Sequence, residues 1–305
     1  MATDSPQWKA LERARTADPS LLSSDLTLVE DSIRAFADLR DPASALELFA
    51  RAWRGWLTSG RLDGGRRAAG LALAIPGSAN VVPWYCRALY ADGVLAFRQG
   101  DQAGSLERNN EALRVAREKR DAQGEAEALT GLARIALRDG DYERVIATAT
   151  HARGVAHSAG DASFDAAPLH LLAAGVRLTK DYVRARELYR ESLELNRRLQ
   201  RPAGVAMEEH NLGWVSLHLG DVDAAEEHFR NASERAADPN AIAWRSLNAA
   251  GIALARGRRQ EARAAYASGK EQLRALQQQA DPDDRFELEW MEAALEDAAR
   301  SGGTS

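Results

Sequence analysis

The sequence predicts an all-α protein, an α-solenoid assembled from antiparallel helix pairs. Two series of turns and one series of side-chain sizes predict it. The first turn series is a step of glycine plus a polar residue. It falls at Gly60-Arg61, Gly100-Asp101, Gly140-Asp141, Lys180-Asp181, Gly220-Asp221 and Gly257-Arg258, at intervals of 40, 40, 40, 40 and 37 residues. Glycine after a helical stretch suits the left-handed residue that ends a helix, and the Asp behind it suits the N-cap of the next one. The second series is Lys119-Arg120-Asp121, Gly160-Asp161, Arg201-Pro202 and Asp238-Pro239. Pro202 and Pro239 fit a first helical turn, where the missing N–H costs nothing. Each period therefore holds two helices of about four turns.

Side-chain size keeps the same beat. Seven residues before each step stand Trp53, Gly93, Ala133, Ala173, Gly213 and Ala250; five after it stand Gly65, Ser105, Val145, Ala185, Ala225 and Ala262. Small residues let two helix backbones approach closely. Nine after the step stand Ala69, Asn109, Ala149, Tyr189, Phe229 and Tyr266, so an aromatic filler is present in the last three repeats and absent from the first three.

Taken in order, residues 1–40 form an N-terminal cap, with helices over Gln7–Ala17 and Leu26–Leu39. Residues 41–277 form six helix-pair repeats, opened by Asp41-Pro42. Helix A of the second repeat begins near Asn80 to Pro83, after the Pro76-Gly77-Ser78 loop. A further loop covers 278–282. Residues 283–300 form a last amphipathic helix, bearing Phe286, Leu288, Trp290, Met291 and Leu295, that closes the open end of the spine. Residues 301–305 form a disordered tail.

The small–small–aromatic spacing of Leu212-Gly213, Ala225, Phe229 and Ala232 resembles the tetratricopeptide repeat, whose usual period is 34 residues. The 40-residue period, with Trp53, Trp56, Gly64-Gly65-Arg66-Arg67 and Gly93-Val94-Leu95-Ala96-Phe97, resembles the C-terminal sensor region of bacterial LuxR-type and maltotriose-activator-type ATPase regulators. That likeness runs over about residues 25–275 and implies a right-handed superhelix whose concave face is lined by the helix A of each unit.

Composition narrows the function classes. The 305 residues carry 40 basic and 45 acidic side chains, a net charge of −5, which argues against nucleic acid as a partner. Cys86 is the only cysteine, so no intrachain disulfide forms. No apolar run approaches the ~18 residues of a membrane span, and the polar start has no signal-peptide pattern. The expected location is cytoplasmic. No phosphate-binding Gly-x-x-x-x-Gly-Lys motif occurs, no cofactor is expected, the six histidines have no metal-ligand spacing, and no catalytic triad can be assembled. The expectation is a non-catalytic protein, either free-standing or part of a larger regulator.

The resemblance implies that positions 13, 10, 9, 6 and 3 before each step face the groove. On this chain they give the candidate site: Arg87 and Tyr90, Arg134, His170 and Arg177, His210, Asn211 and Trp214, then Trp244 and Asn248. Arginine forks suit a carboxylate or phosphate, tryptophans suit apolar contact, and asparagine amides suit a peptide backbone. The expected occupant is a peptide or protein segment, within bacterial regulation. The alternative is a sensor for a sugar or other metabolite, including a small anionic ligand. The two-lysine, two-asparagine carboxylate clamp of chaperone-binding family members is absent.

Overall fold

The computed structural model describes residues 5–16, 25–235, 239–276 and 282–301. Asp238, most of the expected 278–282 loop and the 302–305 tail lie outside them, as do 1–4 and 17–24 of the N-terminal cap. Every long element among the described residues is an α-helix, and fifteen occur. They are α1 (Pro6–Thr16), α2 (Leu26–Asp38), α3 (Pro42–Thr58), α4 (Leu62–Ala74), α5 (Trp84–Arg98), α6 (Gln102–Lys119), α7 (Ala122–Asp139), α8 (Tyr142–Ala159), α9 (Ala166–Leu178), α10 (Tyr182–Arg198), α11 (Pro202–His218), α12 (Val222–Arg235), α13 (Pro239–Ala255), α14 (Arg259–Ala275) and α15 (Pro282–Ser301).

The six steps do what their sequence requires. Gly60, Gly100, Gly140, Lys180, Gly220 and Gly257 all take the left-handed conformation, with φ between 67° and 84°. The following amide closes the helix end by bonding five residues back, as in Asp101 N to Ala96 O at 2.9 Å and Asp221 N to Ser216 O at 2.9 Å. The Asp side chains then cap the next helix, accepting from Gly104 N at 2.8 Å, Arg144 N at 3.1 Å, Arg184 N at 3.1 Å and Ala224 N at 3.2 Å. Arg61 and Arg258 occupy the same position without a side-chain cap.

The chain divides into two compact units, one of Met1–Ile135 with His151–Phe164, the other of Ala136–Thr150 with Asp165–Ser305. In the first, α1 and α2 pack on α3, and α3 in turn packs on α4 and α5. Phe36, Phe49 and Trp56 fill its centre, and the Trp56 indole N–H donates to Glu30 at 3.0 Å. In the second, each of α9 to α14 packs on its successor. Its spine holds Tyr189, Trp214, Leu212 and Leu247, all fully enclosed.

The small positions account for this packing. Ala133, Ala173 and Ala250 before the steps, and Val145, Ala185, Ala225 and Ala262 after them, are all buried. Where the aromatic filler is missing in the second repeat, Asn109 takes its place: it is buried and donates to Ser105 O at 2.8 Å.

The last helix does more than end the array. α15 packs on α13 and α14, as a cap should, and it also reaches α9. Its buried side chains are Glu287, Leu288 and Met291, while Arg285, Glu289, Glu292 and Glu296 face solvent.

Candidate functional site

The ten candidate residues divide between the two units. Arg87, Tyr90 and Arg134 belong to the first; the other seven belong to the second. The helices that carry them are α5 and α7 in the first unit and α9, α11 and α13 in the second, the helix A of their repeats in each case.

In the first unit α3, α5 and α7 present arginine and aromatic side chains together. The Arg51 and Arg87 guanidinium carbons lie 5.0 and 4.7 Å from the centre of the Trp84 ring. Arg54 stacks on Trp53 at 4.6 Å, and Trp53 meets Tyr90 edge-on at 6.2 Å. A guanidinium on an aromatic face is held by the ring quadrupole and keeps its in-plane N–H donors for other partners. Arg51 is already paired with Glu47 at 2.9 Å. Arg87 donates to Gln123 through one terminal nitrogen, and its Nε has no partner. Gln123 donates onward to Glu127 at 3.0 Å. Burial raises the Glu127 pKa, against the pull of Gln123, Arg87 and Arg54. Arg134, half-buried two turns along α7, makes no ion pair among the described residues. Arg87, Tyr90, Trp84 and Arg134 all keep part of their surface in solvent.

Arg51 and Arg54 were reachable from the sequence. They stand nine and six residues before Gly60, at the groove positions of the first repeat. Trp84 stands sixteen before Gly100, upstream of every groove position, and nothing in the repeat marks it.

In the second unit five of the seven candidates are buried, and His170 and His210 are half-buried. Trp214 is fully buried, Arg177 is 1% exposed, and Trp244, Asn211 and Asn248 are buried. Asn211 donates back along its own helix to Met207 O at 3.1 Å. His210 lies between Trp244 (5.1 Å), Phe229 (5.9 Å) and Trp214 (6.5 Å), and its Nδ1 is 3.4 Å from Asn248 Nδ2. Burial, then the positive Arg177, push its pKa below the usual 6.5 to about 4, so His210 is neutral at pH 7. His170 behaves in the opposite way. Burial alone would lower its pKa, yet the Glu208 carboxylate 3.1 Å from Nδ1 raises it. Ser192 donates to the same carboxylate at 2.7 Å.

The cover over this cluster is α15. Arg177 donates to Glu287 at 2.8 Å, and both side chains are 1% exposed; Asp283 stands 3.4 Å from the same guanidinium. His218 Nε2 meets the other Glu287 oxygen at 2.8 Å. Tyr182 stacks flat on the His218 ring at 4.5 Å, and Trp290 meets His218 and Trp214 edge-on at 5.1 and 6.1 Å. The expected surplus of arginine over acid is therefore cancelled in this unit by carboxylates of the chain itself. Replacing Asn211 and Trp214 by Ala removes a fully buried indole and is a substitution in the core.

No group of three or more His, Cys, Asp or Glu side chains able to hold a metal occurs among the described residues. Cys86 is buried, and burial pushes its thiol up to about 12, which leaves it unreactive. No described helix is long and apolar enough to cross a membrane.

No family model matches the chain, and no curated protein matches it. Solved structures do. The apo form of RapI is similar over 89% of this chain and 97% of its own, at 13% identity and a TM-score of 0.66. NprR in complex with its cognate peptide NprX is similar over 98% of this chain and 82% of its own, at 14% identity and a TM-score of 0.60. A tetratricopeptide repeat protein from Parabacteroides merdae is similar over 95% of this chain and 98% of its own, at 13% identity and a TM-score of 0.52. At these identities the likeness is one of fold, and the fold is that of the tetratricopeptide-like helical repeats.

Proposed function

We propose that this chain is a non-catalytic binding module that holds a peptide or protein segment on the helix A face of its first unit. The observation that carries the reading is the arginine and aromatic cluster of Arg51, Arg54, Arg87, Trp53, Trp84 and Tyr90; Arg134 belongs to the same unit. The cluster's guanidinium donors suit carboxylates, either acidic side chains or a chain end, and its rings suit the apolar residues between them. That composition is typical of binding hot spots. The similarity to NprR, whose solved structure holds a peptide, supports the same reading.

The resemblance carried by Trp53, Trp56, Gly64-Gly65-Arg66-Arg67 and Gly93-Val94-Leu95-Ala96-Phe97 supports a place in bacterial transcriptional regulation, and with it a cytoplasmic location. A small anionic metabolite would meet the same arginines.

Panning a displayed random-peptide library against the purified chain tests the proposal. The expected peptides combine Asp, Glu or a free C-terminal carboxylate with aromatic or aliphatic residues. Arg87→Glu with Arg134→Glu is expected to weaken them at least tenfold while the melting curve stays put. Peptides that bind this variant unchanged, or that are lost only on Leu106→Lys in the exposed face of α6, would overturn it.

A further inference from the structure

The second unit carries the same kind of face as the first, and that face is already occupied. We propose that α15 is a built-in ligand of the second unit, a helix seated in a helix-binding groove formed by α9, α11 and α13. An external amphipathic helix with a carboxylate three residues ahead of an aromatic competes for the same seat. This deepens the reading above, since it gives the second unit a ligand class and a resident competitor.

Three observations carry it. First, the contact has the chemistry of recognition. Glu287 divides its two oxygens between Arg177 and His218, and Trp290, three residues later, lies against Trp214 and His218. The carboxylate and the ring sit on one helix face because residues three apart are neighbours there. Arg177 and His218 stand three and two residues before their steps, at the groove end of their helices.

Second, the fit is incomplete. Arg177 Nε and Trp214 Nε1, on residues that touch α15, and Tyr189 Oη, Trp244 Nε1 and Asn248 Oδ1 in the same unit are buried and have no hydrogen-bond partner. A buried donor or acceptor left unpaired is costly. A ligand presenting polar groups to these atoms would hold better than α15 does.

Third, the charge pair in the seat contributes little net stability. A buried Arg–Glu pair gains Coulomb energy but loses the hydration of both ions, so the two nearly cancel. Removal of the carboxylate alone leaves Arg177 buried and uncompensated, so the groove stays selective for a replacement that brings its own. The outer face of α15 is solvated through Arg285, Glu289, Glu292 and Glu296, so a helix of this kind remains soluble once released.

The test keeps the whole chain. A protease site is placed in the 277–281 segment, the purified protein is cleaved, and a fluorescent peptide of residues 282–301 is added. Saturable exchange of the labelled peptide into the cleaved protein is expected, with at least tenfold weaker exchange for the peptide carrying Glu287→Ala and Trp290→Ala. In the uncleaved chain the labelled peptide is expected to bind only when the same two substitutions are made in cis. If the cleaved protein never exchanges its helix, or loses its helical circular dichroism on cleavage, α15 is a fixed part of the fold and the proposal is wrong. Equal exchange of the wild-type and doubly substituted peptides would overturn it as well. Peptides selected on the first unit should bind the cleaved and uncleaved proteins alike, so a failure here stays distinct from a failure of that site.

Discussion

Lys180 is the one step residue that is not glycine, yet it takes φ 67° like the others. A side chain in the left-handed region costs roughly 1 kcal/mol. Lys180→Gly should therefore stabilise the chain by up to about that amount, read as a higher urea midpoint, and a lower midpoint would contradict the account. Gly213 makes the converse case. A Cβ there would stand 2.9 Å from Phe229 Cζ and closer still to the ring edge. Gly213→Leu should cost about 1–3 kcal/mol or more, by overpacking α11 against α12. Both positions were legible in the sequence because they repeat at the period. His210 was legible only as a groove residue. Its burial among rings, which lowers its pKa to about 4, was not. A histidine depressed below its unfolded value adds stability that is complete above about pH 6.5 and is lost as pH falls through the folded pKa. His210→Gln should therefore flatten the loss of stability between pH 6.5 and about 4, by an amount on the order of 3 kcal/mol. Parallel urea midpoints for the two proteins across that range would contradict it. His170, with a raised pKa, acts the other way, its contribution fading as pH rises through the folded value.

At the scale of elements, helix boundaries were readable because caps are local chemistry. The sequence places helices over Gln7–Ala17 and Leu26–Leu39, and the structure has them at Pro6–Thr16 and Leu26–Asp38. Removing one cap should cost what a cap contributes: Asp181→Ala is expected to lose about 1 kcal/mol, and an unchanged thermal melt would show that Arg184 N is satisfied without it. The final helix was legible as an amphipathic segment and as a cap on the end of the array. Its reach onto α9 was not, because the deciding contact joins Arg177 to Glu287 across 110 residues, and a single Arg–Glu pair leaves no pattern in a chain rich in both. The same burial corrects the reading of Arg177. As an arginine at a groove position it suits an external anion, but here its anion is internal.

At the scale of the molecule, the helix-pair array was legible from periodicity alone, since a solenoid writes its geometry into every repeat. The binding face was legible only in part. One register rule, applied to repeats two to six, finds Arg87, Tyr90 and Arg134 partly exposed, and Trp214 and Trp244 in a core. Register fixes which way a helix position points, whereas burial depends on what else lies over it. The central claim is that a segment is held on the helix A face of the first unit. The most direct measurement places a photo-crosslinking phenylalanine at Tyr90 and, separately, at Leu106 on α6, then maps by mass spectrometry the crosslinks formed to a library-selected peptide. Crosslinks from position 90, suppressed by Arg87→Glu and Arg134→Glu, with none from position 106, are the predicted result. Crosslinks from position 106 with none from position 90 would contradict the account.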